Sequence, residues 1–263
     1  MVANSTLDRN LGALLALNGP LARELSQIEP AAGLTWLTTD EGDEAPSALY
    51  KEEGVSGERA LASRRTPRAE GERWAGQADI GKYAAFVVRG FGLGYHVAAL
   101  AKRVGGKGVV FVFEPDKRLL RAVLERVDCT GWLAGVTIFT DPDDRAAMSE
   151  GTGHVEPLIA MGTAMLDHPA SMARLGRDRA AQRFAERFTA VMATVRVSMA
   201  STLLQTQATM RNCLQNVDHY ATRRGSSRCG VCSRGGRRSL CPRARACGGT
   251  SICSRARAWR TGS

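Results

Sequence analysis

From Tyr83 to Pro142 the chain alternates between two hydrophobic periods, and that alternation limits the possible folds more than any other feature. YAAFVVRG is a short β-branched apolar run ending at Gly90, as expected of a strand buried on both faces. FGLGYHVAALAKRVGGKG then passes through glycines into a helix that closes at Gly105-Gly106. VVFVFEP repeats the strand pattern, DKRLLRAVLERVD the helix and VTIFTDP the strand. Strand, helix, strand, helix, strand at this spacing predicts a parallel sheet with right-handed crossovers. DDRAAMSEG is expected to cover the sheet, and HVEPLIAM to supply a fourth strand.

The flanks carry other patterns. Leu7, Leu11, Leu14 and Leu15 share a helical face, Gly19-Pro20 breaks that helix, and Leu21, Leu25 and Ile28 begin another. LTWLTT and SALYK read as short strands in an accessory layer, and TPRAEGERWAGQ as a helix with Pro67 in its first turn. Between Arg177 and Arg224, Phe184, Phe188, Val191 and Val195 keep helical spacing. This predicts a long amphipathic helix or a pair broken within Thr194 to Thr202, where β-branched and hydroxyl residues gather. The expected fold class is α/β: a Rossmann-like parallel sheet with a small N-terminal α+β region, a long C-terminal helical segment and a disordered tail. The expected divisions are an accessory region (1–66), a Rossmann-like domain (67–165), a helical segment (166–223) and the tail (224–263).

Net charge is misleading until it is located. The formal +10 suggests a polyanion partner, yet residues 221–263 hold 11 arginines and no acid, leaving −1 on the first 220 residues. The tail lacks the aromatic residues of single-strand binders, so no specific nucleic-acid partner is expected. Its Cys229 and Cys232 form a C-x-x-C, but Cys241, Cys247 and Cys253 do not complete a second pair and no histidine follows His219, so no metal site is read there. Eleven like charges and few apolar residues also argue against a packed tail. Only Cys129 and Cys213 lie in the body, which points to a reducing compartment. The N-terminus lacks the basic start of a signal peptide, and no apolar run reaches the ~18 residues of a membrane span. A cytoplasmic protein with no membrane partner is expected.

The candidate binding residues sit at the first strand-to-helix turn. Gly90, Gly92 and Gly94 allow a backbone to approach a ligand at a helix N-terminus. Glu114 ends the next strand 20 residues after Gly94, where Rossmann-like folds carry the carboxylate for a ribose diol. The bland reading is a tight turn and nothing more. G-x-G-x-G is closer to the first motif of class I methyltransferases than to the dinucleotide G-x-G-x-x-G. Tyr95 and His96 are expected to face the same crevice, and Asp116 to cap the second helix. Thr209, Asn212 and Asn216 fall on one helix face, either exposed or hydrogen-bonded. No catalytic acid or base is identified.

GFGLGYH followed by VVFVFEPDKRLLRAVL resembles the motility accessory factor family, which shares a domain with hydroxymethylpterin pyrophosphokinase-like proteins. ASRRTPRAEGERWA is similar to that family's S-R-x-x-P-x-x-E helix start, and TMRNCLQNVDHY to its T-x-x-x-N-x-x-x-N helix, so the resemblance covers about residues 10–222. It implies transfer of a nonulosonic acid from a CMP-sugar to Ser or Thr of flagellin or another protein acceptor. It also implies a following Rossmann-like domain that opens with a G-P-S-L turn. Residues 224–263 hold no such turn, but codons compatible with Pro242 to Cys247, read one frame over, permit P-G-P-S-L, and Gly236 to Leu240 permit P-A-V-V-V. The tail is therefore read as a frameshift product and the chain as an inactive N-terminal part. The competing readings are an S-adenosylmethionine-dependent small-molecule methyltransferase and a non-enzymatic scaffold.

Overall fold

The computed structural model describes residues 5–52, 56–175 and 179–226, with the side chains of Asn216 and residues 218–226 left aside. It is an α/β structure that divides into two units, Met1–Ala208 and Thr209–Ser263. Tail residues 227–263, including the C-x-x-C, lie outside the described residues.

Two short helices open the first unit, α1 (Thr6–Leu15) and α2 (Gly19–Gln27). A capping box starts α1: the Asp8 amide donates to Ser5 Oγ at 3.1 Å, and the Ser5 amide to Asp8 Oδ2 at 3.2 Å. Asn18 caps α2 by accepting from the Leu21 amide at 3.1 Å. A three-stranded antiparallel layer follows, β1 (Leu34–Leu37), β2 (Ser47–Tyr50) and β3 (Arg59–Ala60), and then α3 (Pro67–Ala75) with Pro67 in its first turn.

Among the described residues, one four-stranded sheet is parallel throughout: β4 (Ala85–Arg89), β5 (Val109–Phe113), β6 (Val136–Phe139) and β7 (Thr163–Asp167). Its order is β6-β5-β4-β7. Alternate residues serve opposite faces. Phe86, Val88, Val110, Val112 and Ile138 join Leu14, Leu25, Leu100 and Leu120 in one core. Helices α4 (Tyr95–Val104) and α5 (Lys117–Arg126) and the short α6 (Thr130–Leu133) lie on that side. Ala85, Val87, Phe111, Phe113 and Phe139 face the second core with Met148 of α7 (Arg145–Gly153) and Ile159 of α8 (Glu156–Met161). Burial on both faces explains why the strands read as continuous apolar runs.

The chain then forms α9 (Pro169–Leu175) and α10 (Arg179–Ser226). Phe184 and Phe188 of α10 fill the second core, Phe184 stacking on Phe113 at 4.3 Å between centroids.

One expectation is corrected and one open alternative is decided. HVEPLIAM is not the fourth strand: Pro157 in the first turn and Gly162 at the C-cap bound it as α8, and the strand is the next segment, β7. β7 escapes sequence patterning because it is a half-exposed sheet edge. Of the two readings of the segment after Arg177, the single long helix is the one observed, without a break between Thr194 and Thr202. Thr194 Oγ1 donates to the Ala190 carbonyl at 3.1 Å and Thr202 Oγ1 to that of Ser198 at 3.0 Å, so the hydroxyls are satisfied within the helix. No described helix is long and apolar enough to cross a membrane.

Candidate functional site

β4 sits between β5, reached through α4, and β7, reached only after β6. The β4/β7 boundary is thus the topological switch point, where doubly wound sheets bind ligands beyond the carboxyl ends of the strands. Gly90, Gly92 and Gly94 form the loop leaving β4 at that edge, with φ of 92°, 52° and 82°. Gly90 shows why the residue is needed twice over. Its φ lies in the left-handed region, and a Cβ there would sit 2.3 Å from the Ser171 Cβ of α9. Gly94 is the N-cap of α4.

Glu114 stands at the same edge one strand over, immediately after β5, and is fully buried. Its Oε2 accepts the Phe91 amide from inside the glycine loop at 3.0 Å, and its Oε1 accepts the Asp116 amide at 3.1 Å. Arg174 of α9 donates through Nη2 to Oε1 at 2.6 Å and also to Oε2. Burial disfavours the charge on Arg174, but the facing Glu114 carboxylate outweighs it, and the pKa is raised. The Arg174 Nε is buried with no hydrogen-bond partner. Asp116 caps α5 as expected, accepting the Leu119 amide at 2.9 Å, while its other oxygen accepts the Tyr50 hydroxyl at 2.8 Å.

Behind the glycine loop lies a buried aromatic cluster. The His96 and His168 rings stack with centroids 4.0 Å apart and planes 7° from parallel, and Trp74 meets both edge-on. Trp74 Nε1 donates to the Asp167 carbonyl at 2.9 Å. His96 Nε2 lies 3.0 Å from the Gly90 carbonyl, which assigns the proton to that nitrogen. His168 Nδ1 lies 3.4 Å from Ser171 Oγ. Burial lowers the His96 pKa well below the ordinary histidine value, and His168 lowers it further, against the Gly90 hydrogen bond. Burial lowers that of His168, with Glu70 opposing. Two neutral rings can stack this closely where two imidazolium ions would repel.

His96 therefore does not open toward the crevice. Tyr95 does not either, since its hydroxyl donates to the Pro46 carbonyl at 2.8 Å from a buried position. Ser63 and Glu70 of the S-R-x-x-P-x-x-E stretch meet in the fold, the Ser63 amide donating to Glu70 Oε2 at 2.6 Å. Thr209 and Asn212 are on an exposed stretch of α10.

Sequence reasoning missed His168, Ser171 and Arg174. Their signal is Asp167-His168-Pro169 closing a strand at the ligand edge, which becomes visible only once β7 is placed correctly. Of the three glycines, Gly94 lines open space: a groove of about 960 Å³ beside α4, also bordered by Tyr95, Ala98, Lys102, Asp128 and Trp132. Among the described residues, no cluster of three or more His, Cys, Asp or Glu side chains is placed to hold a metal ion.

No family model and no curated protein matches the sequence. Among solved structures, the chain is similar to the MAf glycosyltransferase from Magnetospirillum magneticum AMB-1 at 15% identity and a TM-score of 0.43. The likeness covers 73% of this chain and 35% of that one, so the chain spans about a third of that structure's length. It is also similar to MNMC2 from Aquifex aeolicus at 16% identity and a TM-score of 0.22, covering 46% of this chain and 48% of that one.

Proposed function

We propose that this chain is part of a motility accessory factor-like glycosyltransferase whose Rossmann-like sheet handles a nucleotide-type ligand. The observation that carries the reading is the meeting of the two predicted binding elements at the switch point. The loop from Gly90 to Gly94 and the carboxylate of Glu114 are joined by the Phe91 amide at 3.0 Å. The proposed family reaction transfers a CMP-activated nonulosonic acid to Ser or Thr of flagellin. In this proposal the transfer step belongs to a G-P-S-L domain encoded in the alternative frame from about codon 225.

Titration calorimetry with a CMP-activated nonulosonic acid and, separately, S-adenosylmethionine tests the ligand. Heat with the CMP-sugar supports the reading. Heat with S-adenosylmethionine alone replaces it by the methyltransferase-like reading that G-x-G-x-G suggests. The scaffold reading is favoured by the saturation of Glu114, whose two oxygens already have partners, and silence with both ligands would select it. The frame is tested independently by the nucleotide sequence: absence of G-P-S-L in the shifted frame removes that part of the proposal.

A further inference from the structure

We propose that α9 is an autoinhibitory plug, seated where a ligand of this sheet would lie and latched there by the Arg174–Glu114 pair. The inference rests on the nucleotide reading above and adds to it how the site is kept closed. Ligands of doubly wound sheets occupy the space beyond the carboxyl ends at the switch point. Here α9 fills that space. The Ser171 Cβ lies 2.3 Å from where a Cβ on Gly90 would sit, and the Leu175 side chain lies 3.2 Å from the same point. Arg174 takes both oxygens of the one carboxylate positioned for a ribose diol.

The chemistry of the latch matches that of a nucleotide. A ribose diol donates hydrogen bonds to a carboxylate, and a phosphate accepts them from a guanidinium. In the closed state Glu114 and Arg174 satisfy each other instead. The match is incomplete, because the Arg174 Nε–H is buried without an acceptor. A buried ion pair gains little net stability over its desolvation cost, and an unsatisfied donor reduces that gain further. The polar latch is thus of low net strength and α9 adds only Leu175 and the partly buried Met172 to the second core, whereas every residue of β5 is apolar and buried. α9 should open without the sheet unfolding.

Native-state hydrogen exchange on the full chain tests this directly. The amides of Met172 to Leu175 are expected to exchange at least about tenfold faster than those of Val110 to Val112. Glu114→Gln destabilises the native state relative to every opened form, so it should accelerate α9 and β5 by a similar factor while α9 keeps its lead over β5. Equal rates for α9 and β5 in the native chain, or loss of the α9 lead in Glu114→Gln, would overturn the plug whatever the ligand result.

A second arm repeats the exchange with saturating CMP-sugar and with S-adenosylmethionine. Binding with faster α9 exchange supports the plug. Binding with slower or unchanged α9 exchange overturns the plug and leaves the nucleotide site standing. No binding to the native chain or to Arg174→Met, with α9 still opening locally, overturns both, since a helix that uncovers no ligand site is not a plug.

Discussion

The imidazole of His168 lies parallel to that of His96 at 4.0 Å, joining the turn after β7 to the first turn of α4. The stack needs both rings neutral. Burial holds both below the ordinary value of about 6.5, so the unfolded chain takes up these protons first as pH falls. Stability from the pair is complete above about pH 7.5 and is lost as pH drops through about 6.5. The slope is at most ~1.4 kcal/mol per pH unit for each ring. Urea unfolding between pH 5 and 8 should show this fall, and His168→Asn should roughly halve its slope. An unchanged slope in that variant would assign the acid sensitivity to other groups.

Removing one member of the Arg174–Glu114 pair leaves the other charge buried. Arg174→Met is expected to cost about 3–5 kcal/mol in chemical denaturation. The double variant Arg174→Met with Glu114→Leu should recover most of that loss, because no charge remains uncompensated. A double variant as unstable as the sum of the two single ones would show that packing, not charge, sets the cost.

Gly90→Ala combines an unfavourable φ with a Cβ 2.3 Å from that of Ser171. The expected loss is roughly 2–4 kcal/mol, the strain and the clash each contributing. Adding Ser171→Gly should return only the clash component, visible as partial recovery of the melting temperature. Complete recovery would mean that the left-handed backbone costs nothing here.

Asn10 is fully buried in α1 and fastens it to the end of α5. Its Nδ2 donates to the Leu124 and Val127 carbonyls at 2.8 Å each, and its Oδ1 accepts the Cys129 amide at 2.8 Å. Asn10→Leu should cost about 2–3 kcal/mol despite adding apolar surface, because backbone groups lose their partners. A neutral result would show that water reaches these groups.

The parallel α/β core, the glycine turn, the Asp116 cap and the helical nature of the segment after Arg179 are legible in the sequence. Each is a local matter: hydrophobic period, cap chemistry and backbone permission are written within a few residues. What packs against the turn depends on tertiary structure. Ser171 and Arg174 lie 81 and 60 residues from Gly90 and Glu114 along the chain, on a helix that follows the strand hardest to see. β7 has no strong pattern because one side of a sheet edge is open to solvent. The chemical character of Glu114 shows the same division. A carboxylate after a strand is legible as a candidate ligand, but whether it meets ribose or Arg174 depends on which helix packs over it. Packing between distant segments sets the protonation of His96 and His168 for the same reason, since desolvation is a property of the assembled core.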